Sequence, residues 1–154
     1  EVLRRLRPGT VLANAISDRH PDHGRGAELV VRACFLSGLR RIETHDKHTG
    51  EAQEAWRPGA VWHFIQDRWR DPDFVVDISG YEAVKEQAIL AYGSQFHTPG
   101  EDENAAPQTP ISTPEFLDTV RGRALAMGRA ASLRVGEGFE GQRPPAVSDI
   151  TALA

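Results

Sequence analysis

The chain has 154 residues, 40% of them hydrophobic and 26% charged, with a formal net charge of −4. These values describe a folded domain large enough for a real core and exclude a disordered chain; with no long basic tract, nucleic acid is excluded as an expected partner. No apolar run approaches the roughly 18 to 20 residues that cross a bilayer, no signal-peptide pattern is present, and a single cysteine, Cys34, rules out a disulfide framework within the sequence. A reducing, cytoplasmic setting is the expectation, with no membrane partner.

In chain order, residues 1–7 read as the end of a helix. Val2, Leu3 and Leu6 have helical spacing, and Pro8-Gly9 breaks it. Residues 10–16 form a short apolar run with β-branched ends, which predicts a buried strand. A helix is predicted from about Asp22. Ala27, Val30, Val31, Cys34 and Phe35 give its apolar stripe, Pro21 suits its first turn, Asp22 favours its dipole, and Gly38 ends it. Residues 40–58 are a long polar loop carrying His45 and His48.

Strands are predicted at 59–66 and 73–78, followed by a helix at 81–96 whose stripe is Tyr81, Val84, Ala88, Ala91 and Tyr92. A second long loop, from His97, reaches Pro114. Ser112 or Thr113 is then the expected N-cap of a last helix, with Pro114 at its first position and Glu115 in its first turn, running to about Ser132. Residues 136–154 show little periodicity. Strands alternating with helices predict an α/β fold with a largely parallel sheet and no domain linker.

The informative segment is Asp18-Arg19-His20-Pro21-Asp22-His23, between a predicted strand and a predicted helix. Ligands of open α/β folds sit at the carboxyl ends of strands. His20 and His23 are three apart, so both rings can face one side of the helix start. Imidazole is a preferred zinc ligand, but catalytic zinc takes three protein ligands and a water. The same spacing also arises from surface histidines beside a helix cap. His45 and His48 repeat it in a hydrophilic loop, where a solvated role is expected. His63, between Trp62 and Phe64, either points into the site or is a satisfied half-buried strand histidine, the second being the expectation. Asp67 suits turn capping, Trp56, Trp62 and Trp69 suit packing, and Cys34 suits an inert core.

The run from Ala13 to Gly26, ANAISDRHPDHGRG, resembles the second zinc motif of the PIG-L-like (LmbE-like) N-deacetylases. Residues 33–40, 53–58, 64–68, 72–78, 92–96, 108–116 and 137–145 resemble one branch of that family, the bacillithiol biosynthesis deacetylases. The resemblance implies a Rossmann-like fold and zinc-dependent removal of acetate from N-acetylglucosaminyl malate, a small sugar substrate. It implies His23 as a metal ligand, and His20 as the group that polarises the amide carbonyl or protonates the leaving amine. It implies Asp22 as the carboxylate that orients His20. Arg19 is the candidate for the malate carboxylate, since a guanidinium fork suits that geometry; a surface salt bridge is its other reading. Gln66 and residues 108–112 add to the likeness to this branch.

The family's N-terminal Ala-His-Pro-Asp-Asp motif, with its other zinc ligands and water-activating Asp, is absent from these residues. The expectation is therefore a single partial domain, residues 1–154, corresponding to the C-terminal part of such an enzyme and lacking its N-terminal strands. Such a chain is expected to be inactive alone. A remnant serving only as a binding or oligomerisation module, homo-oligomeric assembly, and a related deacetylase for another N-acetyl sugar are the alternatives.

Overall fold

The first strand, β1 (Thr10–Ala13), pairs in parallel with β2 (Ala60–Phe64), in a register running from Thr10 opposite Ala60 to Ala13 opposite His63. The computed structural model describes residues 1–96 and 109–153; the expectations for His97 and for residue 108 lie outside that range. β2 also pairs antiparallel with β4 (Gly136–Gly141), placing His63 opposite Glu140 and Phe64 opposite Phe139. With β3 (Phe74–Asp77), the strand order is β1-β2-β4-β3. The expected α/β sheet with flanking helices thus forms, parallel in part. The antiparallel member, β4, comes from the tail that periodicity leaves unassigned. Gly-Glu-Gly-Phe-Glu-Gly has no strand signal of its own, and its order comes from the partners that bracket it.

Contacts divide the chain into two compact units, Glu1–Phe74 with Gly138–Ala154, and Val75–Glu137. In the first, α1 (Val2–Leu6) ends at Arg7 in the left-handed conformation, with φ 46°. Arg4 of α1 is 4% exposed. Its guanidinium donates to the carbonyls of Ser37, Leu39 and Ile42 and to Thr44 Oγ1, at 2.6 to 3.0 Å. The buried charge is therefore spread over carbonyl dipoles at the end of the next helix and the turn beyond it.

That helix, α2 (Pro21–Ser37), has His20 as N-cap, Pro21 at its first position and Gly38 as C-cap. Of its stripe it buries Ala27 and Cys34, whereas Phe35 is exposed, with the Arg57 guanidinium over its ring. Burial pushes the Cys34 thiol above its usual range. Phe74 meets Trp62 edge-on at 4.8 Å and stacks on Phe139 at 5.5 Å. Trp56 Nε1 donates to the Pro8 carbonyl.

In the second unit, α3 (Glu82–Leu90) stops before the residue 96 that its stripe suggests, its C-cap at Ala91. α4 (Glu115–Ala130) has Pro114 as N-cap and no side-chain cap. Ser112 is not the expected cap, because its hydroxyl takes the Thr109 N–H at 2.9 Å instead. Gly128 lies so near Val135 that a Cβ would stand 2.6 Å from the Val135 Cα, so the chain can turn back tightly after α4. Ion pairs Arg121–Glu86, Arg134–Glu82 and Lys85–Glu137 tie this unit together. No helix among the described residues is long and apolar enough to cross a membrane.

Candidate functional site

The connection between β1 and α2 runs past the carboxyl end of β1 and is pinned by side chains from β2 and the segment after it. His63 on β2 is fully buried, and its Nδ1 lies 2.7 Å from the Asn14 carbonyl. A carbonyl only accepts, so that nitrogen carries the hydrogen. The other ring nitrogen of His63 has no partner among the described residues. Gln66 Oε1 accepts the Ala15 N–H at 3.2 Å. These contacts fix the strand end from which residues 18–23 depart.

Asp18 is the centre of the connection. Its side chain is 0% exposed. Its Oδ1 accepts the backbone N–H of Arg68 at 2.8 Å and of Asp67 at 3.2 Å, and its Oδ2 lies 2.6 Å from His23 Nδ1. Burial works to raise the Asp18 pKa. It is outweighed by the N–H of Arg68, the His23 ring and the N–H groups of Arg19 and Asp67, which together hold the carboxyl down to about 2.

His20, the N-cap of α2, is half exposed, and its Nδ1 accepts the Asp22 N–H at 3.2 Å. The His20 and His23 ring centres are 5.3 Å apart. The Asp22 carboxylate stands 3.9 Å from His20 Nδ1, beyond hydrogen-bond distance. Arg19 Nε meets Asp67 Oδ2 at 2.5 Å, on the surface. Nearby, Arg70 Nε donates to both carboxylate oxygens of Glu140, at 2.6 and 2.7 Å.

The four residues singled out in the sequence, Arg19, His20, Asp22 and His23, are thus together at one helix start. His23 is the most firmly held, and Asp22 engages His20 through its backbone rather than its carboxylate. Asp18, named in the segment without a role, and His63 and Asp67, read mainly as structural, join them in the structure. Asp18 had one sequence signal, an acidic residue five positions before His23; its depth comes from the segment at residues 67–68, which no local pattern announces.

Among the described residues, no group of three or more His, Cys, Asp or Glu side chains is arranged to hold a metal ion. Catalytic zinc takes three protein ligands. The described residues alone therefore do not make a zinc site.

No family model matches the sequence. Solved structures do. The conserved protein TT1542 from Thermus thermophilus is similar at a TM-score of 0.77 and 28% identity, over 97% of this chain and 58% of that one. The N,N'-diacetylchitobiose deacetylase from Pyrococcus horikoshii is similar at 0.67 and 22% identity, over 99% of this chain and 53% of that one. The 4-carboxy-2-hydroxymuconate hydratase from Pseudomonas putida is similar at 0.64 and 20% identity, over 97% and 58%. The chain shares their fold. It spans 53–58% of the length of these structures. A deacetylase and a hydratase on one fold mean that the chemistry has to be argued from side chains.

Proposed function

We propose that residues 18–23 belong to the active site of a zinc-dependent N-deacetylase of the PIG-L-like (LmbE-like) family, acting on N-acetylglucosaminyl malate and releasing acetate and glucosaminyl malate. The observation that carries this reading is the pair of imidazoles at the first turn of α2, one of them anchored on a buried carboxylate. The sequence resemblance across 13–26, and a fold shared with N,N'-diacetylchitobiose deacetylase, support it. The further zinc ligands and the water-activating base would come from outside the described residues, and the chain would stand for the C-terminal part of the enzyme.

Each residue here then has a task that its surroundings permit. His20, half exposed and capping the helix, faces the acetamide. It donates to the carbonyl oxygen as negative charge develops there, and can pass its proton to the departing amine. Asp22 holds the His20 ring through its N–H, and its carboxylate is near enough to pair with the ring once protonated. Arg19 offers its guanidinium to a malate carboxylate, in competition with Asp67. A small-molecule substrate in the cytoplasm fits this reading, with no nucleic acid and no membrane.

The test is acetate release from N-acetylglucosaminyl malate by the full gene product that carries these residues, with zinc supplied. Release that His20→Ala and His23→Ala abolish is expected. Release from another N-acetyl sugar alone would move the substrate assignment, and no release from any would overturn the reading. The lack of a three-donor group among the described residues favours a second reading for the 154-residue stretch by itself, a non-catalytic binding or oligomerisation module. Turnover by that stretch alone would exclude it.

A further inference from the structure

His20 and His23 are near neighbours, yet the same ring position in each meets an atom of the opposite kind. His23 Nδ1 faces Asp18 Oδ2. The Asp18 carboxylate already accepts the N–H groups of Arg68 and Asp67, so it acts as an acceptor throughout. His23 Nδ1 must then carry the hydrogen of their shared bond, and His23 Nε2 presents a lone pair. His20 Nδ1 instead accepts the backbone N–H of Asp22. A backbone amide only donates, so in neutral His20 the hydrogen sits on Nε2.

We infer that the two histidines are locked in opposite tautomers, His23 as a lone-pair donor and His20 as a hydrogen donor, and that Asp18 is the positioning residue that sets His23. Which ring nitrogen is protonated follows from the bond made by the other. Asp18 can impose this because it cannot turn away. Its side chain is enclosed, and its other oxygen is clamped by the backbone at residues 67–68. The two rings thus offer different chemistry side by side, His23 a bare nitrogen and His20 an N–H suited to a carbonyl oxygen on which negative charge develops. That last step rests on the N-deacetylase reading; the tautomers rest on geometry alone.

The substitution Asp18→Asn tests the lock with almost no change of shape. Its amide oxygen can keep the N–H groups of Arg68 and Asp67, which turns its NH2 toward His23. Nδ1 must then accept, and the hydrogen moves to Nε2. Long-range 1H–15N spectra of the metal-free protein should be recorded above about pH 8, where an ordinary imidazole is neutral. Wild type is expected to show His23 protonated at Nδ1 and His20 at Nε2. In Asp18→Asn, His23 is expected to invert while His20 stays. His23 protonated at Nε2 in wild type, the same tautomer at both rings, or an unchanged His23 in the variant would each overturn the inference. Should the variant not fold, the wild-type spectrum alone decides. Inverted tautomers with intact deacetylation would sink this inference only, and correct tautomers without deacetylation would sink only the functional reading.

Discussion

Two histidine pairs of identical spacing sit in opposite surroundings. His45 and His48 are exposed, on a small loop closed by an isolated bridge between His45 and Ala52. The acidic residue between them, Asp46, bonds only its own turn, taking the N–H of His48 at 2.8 Å and of Thr49 at 3.3 Å, with Gly50 completing the turn at φ 74°. Asp18, beside His20 and His23, instead reaches across about fifty residues of sequence to the backbone at 67–68, and is enclosed. The spacing is the same and the chemistry is not. A local carboxylate shapes a turn, whereas one anchored at long range can hold a ring in a chosen orientation.

The largest expected effect that separates the two pairs is on activity. In the deacetylation assay, His23→Ala and His20→Ala should each lower kcat/KM by about a hundredfold or more, on the order of removing a proton donor or an oxyanion partner. His45→Ala and His48→Ala should stay within about twofold. A comparable loss from the second pair would erase the contrast.

Stability sharpens it next. Arg4→Ala leaves the carbonyls of Ser37, Leu39 and Ile42 without their buried donor, and should cost about 3 kcal/mol in denaturant unfolding. Because Arg4 holds the segment just before His45, its loss should loosen that loop while the His20 and His23 resonances remain in place. Asp18→Ala should cost about 2 kcal/mol, since it strips the acceptor from two backbone N–H groups and from the His23 ring. A melting temperature equal to wild type would show that the anchor is not holding the connection.

The smallest effect is that of pH on Asp46. The N–H of His48 holds its carboxyl below the usual range, against an opposing effect of burial and with help from the N–H of Thr49 and the charge of Arg5. A depressed carboxyl stabilises the fold above its unfolded pKa, about 3.9. That contribution is lost as the pH falls through the depressed value. Comparing wild type with Asp46→Ala from neutral pH downward should show a small difference in melting temperature that shrinks in acid. A difference that grows as the pH falls would reverse the assignment.

Much of the frame was legible in the sequence because its signals are local. The stripe Ala27, Val30, Val31, Cys34, Phe35 and the punctuation by Pro21 and Gly38 placed α2, and the apolar runs placed β1, β2 and β3. The four candidate residues stood together as a motif. What escaped was set by partners distant in sequence. The glycine-rich β4 is a strand because β2 lies beside it. His63, read as half-buried, is enclosed and bonded to Asn14. Asp67, read as a turn cap, meets Arg19. Asp18 became central only through residues 67–68. The Ser112 cap failed for the converse reason, a nearer competitor at Thr109.

The buried Cys34 gives the molecule a clock. It is the one cysteine in the sequence, it faces inward from α2, and burial disfavours its reactive thiolate. Cys34 also lines a surface pocket with Phe35, Arg57 and Trp62, so an alkylating reagent reaches sulfur when that wall or α2 moves. The labelling rate, divided by that of a free thiol under the same conditions, is the fraction of time the sulfur spends accessible when closing outruns labelling. α2 is also the helix whose first turn carries His20 and His23, so a single covalent tag, with no mutation introduced, sets an upper limit on how often the candidate site comes apart.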